Sequence, residues 1–150
     1  MKSPLDMYKI IFNREPLSER MTTDELIALM KKSGRFSFYI GVDAGFWHPA
    51  ALLVAIDNQL ENVYLLREHM PEEVDSEELA QWLKENWLQY DVDKVFVDPE
   101  SVDLTRAVRK AKFPVSAKVD KKRQPGIATV KGFIRRPATL ITQLFVNYIS

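Results

Sequence analysis

Two aspartates close apolar runs in this sequence. Asp43 ends "FYIGVD" directly before the turn "AG", and Asp98 ends "KVFVD" directly before a proline. Either one alone is accounted for by turn chemistry, since Asp accepts backbone hydrogen bonds and Gly45 tolerates positive φ. Together, at the ends of strands lying side by side about 4.8 Å apart, their carboxylates can reach a common ion. Paired carboxylates without a thiolate suit Mg²⁺ or Mn²⁺, which take hard oxygen ligands and keep positions open for water and phosphate. The chemistry implied is phosphodiester hydrolysis. Two ions about 3.5 to 4 Å apart would activate a water and stabilise the leaving oxygen. Two acids are few for two ions, so a third or fourth carboxylate is expected.

The remaining polar candidates have plainer readings. Glu100 suits a helix start favoured by the helix dipole, and Ser101 is a well-placed cap. Glu68, ending the third apolar run, reads as an edge charge, and His48 as a loop imidazole holding a structural hydrogen bond. Lys118, Lys121, Lys122 and Arg123 follow a strand expected beside the acids, where they would contact phosphates and position a nucleic acid without reading its sequence.

The net charge of zero over 150 residues hides an asymmetry. From Leu104 to Arg136 the only acid is Asp120, against eleven Lys and Arg such as Arg106, Arg109, Lys110, Lys112 and Lys131. That segment is either a solvated helix face or a surface for a polyanion. With no cysteine, disulfides and thiolate catalysis are excluded, and two histidines are too few for a His-rich zinc site. No apolar run is long enough for a bilayer, and "MKSPLDMYKIIFNREPL" lacks a secretory apolar segment, so a cytoplasmic protein without membrane contact is expected.

The chain length supports one core. Residues 1 to 20 lack a clear period and carry two prolines, which predicts an arm outside the core with at most one short helix. "TTDELIALMKKSG" predicts a helix, with Thr22 and Glu25 as a capping box and Gly34 as its stop. Three apolar runs over 35–70, separated by short connections, predict an antiparallel meander. "DSEELAQWLKENWLQY" predicts a helix with Leu79, Trp82, Leu83 and Trp87 inward. "KVFVD" predicts a strand covered on both faces. "SVDLTRAVRKAK" predicts a helix with Leu104, Ala107, Val108 and Ala111 inward, and "FPVSAKVD" a fifth strand. A further helix is expected from about Pro125 to Pro137, and the apolar tail after it is ambiguous between helix and strand. Such an order gives an α/β mixed sheet, three antiparallel strands then two parallel ones, with helices on both faces. Ligands then gather beyond the carboxyl ends of the strands.

"YIGVDAG" with "HPAALLVA", "ENVYLLREHM", "VFVDPES" and "VSAKVDKKRQPGIATV" resemble, in this order, the nuclease domain of the large subunit of tailed-phage terminases, a branch of the ribonuclease-H-like fold. The resemblance spans Tyr39 to Ile134. It implies an endonuclease that uses two Mg²⁺ or Mn²⁺ ions, cuts concatemeric double-stranded DNA during genome packaging, and works with the small terminase subunit and the portal. It implies Asp43 and Asp98 as catalytic metal ligands, and sets Lys118 in the place of the family's lysine after the fifth strand.

The sequence also departs from that family. No GxxxxGK[ST] loop is present, so the ATPase motor normally joined to the nuclease is not in this chain. The family's third acid, far downstream, has no counterpart, since no Asp or Glu follows Asp120. Either the nuclease is incomplete at its C-terminus or another acid substitutes. The expected organisation is an N-terminal arm and short helix over 1–34 and a nuclease-like domain over 35–150. A Holliday-junction resolvase-like nuclease of the same fold and a non-catalytic DNA-binding remnant are the alternatives.

Overall fold

The structure is a computed structural model and describes residues 2–45, 48–60, 62–98 and 100–116. Side-chain alternation organises its centre. In strand β1 (Phe36–Asp43), Phe36, Phe38, Ile40 and Val42 are buried on one face while Ser37, Tyr39 and Asp43 alternate with them. β1 pairs antiparallel with β2 (Ala50–Asp57), from Phe36 opposite Asp57 to Asp43 opposite Ala50. β2 pairs antiparallel with β3 (Val63–His69), with a bulge where Leu53 and Val54 shift register. β4 (Lys94–Val97) joins the other edge of β1 in parallel, giving the order β3-β2-β1-β4.

Four helices among the described residues accompany the sheet. In α2 (Thr23–Ser33), the Thr22 hydroxyl accepts from the Glu25 amide, the Glu25 carboxylate accepts from the Thr22 amide, and Gly34 closes the helix at φ 69°. α3 (Ser76–Trp87) is capped by Asp75, which accepts from the Glu78 amide, and runs into a short 3₁₀ turn over Leu88–Tyr90. α4 (Val102–Lys110) buries Leu104, Ala107 and Val108, with Ala111 just beyond. α1 (Pro4–Phe12) is capped by Ser3. No helix among the described residues is long and apolar enough to cross a membrane.

Two expectations are corrected. Residues 1 to 20 are not an arm outside the core, because Met7, Tyr8 and Ile11 of α1 join the cluster formed by the sheet and the other helices. Helices are expected on both faces, and the one expected after Pro125 lies outside the described residues. Among the described residues, all four contribute to one cluster against the face of Phe38, Ile40 and Val42. The opposite face is buried as well, at Leu52, Val54, Leu65 and Phe96.

The sheet has four strands, not five, among the described residues. "FPVSAKVD" forms a single parallel bridge, Val115 beside Val95. Pro114 has no amide to donate, and the Val115 amide turns back to the Phe113 carbonyl. Residues 117–120 of that run, and the helix expected after it, lie outside the described residues.

Candidate active site

The parallel β1–β4 ladder sets Tyr39 opposite Lys94, Ile40 opposite Val95, Gly41 opposite Phe96 and Val42 opposite Val97. One step further on each strand stands an aspartate, Asp43 and Asp98. Val42 and Val97 belong to the core cluster, so alternation turns the next residue on each strand to the opposite face. That is the face of Tyr39 and Phe96, whose rings lie 5.6 Å apart. Both aspartates are half-buried.

Each is held at its strand end. Asp43 is still laddered with Ala50 on its other side. The Asp98 Oδ1 accepts the Glu100 amide at 3.0 Å, and its carbonyl accepts the Ser101 amide at 2.9 Å. Asp98 therefore organises the turn into α4 without capping the helix. Ser101 is the cap by position but makes no side-chain cap bond, and its carbonyl receives the Thr105 amide and hydroxyl. Glu100 is exposed at this turn.

The turn after Asp43 is tight. A Cβ on Gly45 would lie 3.2 Å from the His48 carbonyl oxygen, so a glycine lets the two backbones approach. His48 itself is exposed. A cleft of about 200 Å³ opens beside this turn, bounded by Gly45, Pro49, Asp75, Leu79 and Leu104. Its Asp75 Oδ1 is committed to the cap of α3. Glu68 stands opposite Leu52, two strands from β1 and so about 10 Å away, too far to share an ion bound between β1 and β4.

Among the described residues, no group of three or more His, Cys, Asp or Glu is placed to hold a metal. The expected third acid is therefore not among them. Two neighbouring carboxylates fit one hard divalent cation whose other positions go to water and phosphate oxygens. They fall short of the donors that two ions need. Lys118, Lys121, Lys122 and Arg123 lie outside the described residues.

Three polar constellations were not legible as sites. The His69 ring lies flat on Trp82 at 3.4 Å, and burial lowers its pKa below the usual 6.5. Trp82, expected in the core, is half-buried under it, whereas Trp87 is fully within the core. Tyr90, Asp24 and Arg67 join the 3₁₀ turn, α2 and β3 through mutual hydrogen bonds. Arg35 and Asp57 pair at 3.0 Å at the end of the sheet remote from Asp43. The partners in each are at least 13 positions apart in sequence, so no local motif announces them.

No family model and no curated protein matches the sequence. Solved structures do. The large terminase nuclease domain of bacteriophage SPP1, with bound Mn, is similar at a TM-score of 0.48 and 15% identity, over 70% of this chain and 58% of that one. The Fowlpox virus resolvase in complex with Holliday junction DNA is similar at 0.41 and 16%, over 71% and 76% of the two chains. A Bacteroides thetaiotaomicron protein with an actin-like ATPase fold and unknown function gives 0.37 and 14%, over 72% and 44%. The first is the kind of domain that the sequence resembles, and this chain spans 58% of it.

Proposed function

We propose that this chain is a nuclease domain of the ribonuclease-H-like fold, of the terminase large-subunit type, whose Asp43 and Asp98 hold Mg²⁺ or Mn²⁺ and whose substrate is double-stranded DNA. The observation that carries this reading is the parallel pairing of Val42 with Val97, each followed by an aspartate on the same face. A bound cation would supply charge for the phosphate oxygens and acidify a water. The chain's own residues supply position. The Glu100 amide orients the Asp98 carboxylate, β2 steadies Asp43 through Ala50, and the close turn at Gly45 fixes where the loop leaves the strand. In this reading Lys118, Lys121, Lys122 and Arg123 contact phosphates. The biological task is cutting concatemeric DNA in the cytoplasm of a host cell during packaging, with the small terminase subunit and the portal as partners.

A non-catalytic DNA-binding domain is the second reading. It is favoured by the two-carboxylate donor set among the described residues and by the turn hydrogen bond that occupies Asp98 Oδ1. One assay separates them. Supercoiled plasmid incubated with Mn²⁺ is nicked by the wild type and left intact by Asp43→Ala and Asp98→Ala if the carboxylates hold the ion. An intact plasmid with the wild type, together with salt-sensitive binding, supports the second reading. Equal nicking by wild type and variants contradicts the site.

A further inference from the structure

We infer that the outer face of α4 is a contact surface for the phosphate backbone of duplex DNA, bounded on one side by the acidic face of α3. Leu104, Ala107, Val108 and Ala111 form the buried stripe of α4. At 3.6 residues per turn, Arg106, Arg109 and Lys110 project from the opposite side, and all three are exposed, as is Lys112 just beyond. None of these four cations makes an ion pair among the described residues. Asp103 is the one acid on the helix.

The neighbouring helix has the opposite sign. α3 packs against α4 and exposes Glu77, Glu78 and Glu85 with a single cation, Lys84. A polyanion is attracted along α4 and repelled from α3, so the boundary between them fixes the side on which it lies. The helix dipole favours cations in a last turn and accounts for Arg109 and Lys110. It does not account for Arg106 in the middle of the helix, and Asp103 is the one acid beside four exposed cations.

Arg106 and Arg109 are three residues apart, ~4.5 Å of rise on one side of the helix, so both can contact one phosphate strand. α4 starts four residues after Asp98, at the carboxyl end of β4. The inference rests on the nucleic-acid reading above, but its test does not use cleavage.

The full chain is titrated with a duplex of mixed sequence in EDTA at several salt concentrations. In Arg106→Gln/Arg109→Gln, the slope of log affinity against log salt falls by about 1.8, because two phosphate contacts are lost at ~0.9 each, and the loss is the same for unrelated sequences. Glu77→Gln/Glu78→Gln tightens binding with the slope unchanged. Wild-type affinity and slope in the arginine variant overturn the inference while leaving the nuclease reading intact, and weaker binding by the α3 variant removes α3 as the boundary. Mn²⁺-dependent nicking in the same preparations reports separately on that reading. A wild type that neither binds nor nicks duplex DNA overturns both.

Discussion

Val42 faces Val97 across the β1–β4 ladder, and the residue after each is an aspartate half-exposed on the face away from the four described helices. The pairing is built by hydrophobic burial and backbone hydrogen bonds, not by attraction between the acids, which repel each other when both are ionised. Under the function proposed above, a shared cation would bind at these two carboxylates. Three other polar groupings, around Asp24, Asp57 and His69, bear on stability, and each can be checked by itself.

The hydroxyl of Tyr90 donates to Asp24 Oδ1 at 2.6 Å, and Arg67 donates from Nε to the Tyr90 oxygen at 2.8 Å and from Nη2 to Asp24 at 3.0 Å. The Tyr90 hydrogen bond, with Arg67 assisting against partial burial, holds the Asp24 carboxyl below its ordinary 3.8. A carboxyl depressed in the folded state stabilises the fold above its unfolded pKa, and that contribution is lost as pH falls through the lower folded value. Tyr90→Phe should cost about 1 kcal/mol at neutral pH. Urea unfolding at neutral pH and at about pH 3 checks this, because the variant should lose less stability on acidification than the wild type.

Asp57 is fully buried, pairs with Arg35 Nη2 at 3.0 Å, and accepts the Gln59 and Leu60 amides on its other oxygen. Arg35 also donates to the Ile11 carbonyl at 2.9 Å and lies over the rings of Phe12 and Phe36, which ties the end of α1 to the sheet. Asp57→Ala leaves a largely buried guanidinium without its counter-charge and should cost about 3 to 5 kcal/mol. Asp57→Asn keeps an acceptor for the turn amides and should cost less. Denaturant midpoints of the two variants test the order, and α1 should become sensitive to protease in Asp57→Ala first.

Burial under Trp82 lowers the His69 pKa from 6.5. A neutral imidazole favoured by folding gives stability that is complete above 6.5 and declines as pH falls through the folded value. An NMR titration of the His69 ring should give a midpoint below 6.5. His69→Phe keeps a flat ring on Trp82 and should abolish this part of the acid-side loss. A midpoint above 6.5 contradicts the assignment.

The sequence carried the strand ends and most helix faces because local signals set them. The capping box of Thr22 and Glu25 and the inward residues of α4 are seen as expected. The burial of α1 was not legible because its buried residues, Met7, Tyr8 and Ile11, sit within one short helix, too brief to show a period. The signal that could have found it was Ser3 before Pro4, a cap with proline at the first helical position. Only the start of the expected fifth strand falls among the described residues, where Pro114 has no amide to donate and Val115 makes one parallel bridge to Val95. For the site, the sequence offered the two aspartates, and the parallel register of β1 with β4 sets their strand ends side by side. The pairing of Arg35 with Asp57 depends on how β1 and β2 align and has no signature within either strand.

Mn²⁺ binding to the full chain, followed by the loss of the free-ion electron paramagnetic resonance signal, tests the shared cation most directly. The account predicts saturable binding by the wild type and a loss of about tenfold or more in affinity in Asp43→Asn and in Asp98→Asn, with folding unchanged. Wild-type affinity in either variant means that the two carboxylates do not hold a common ion.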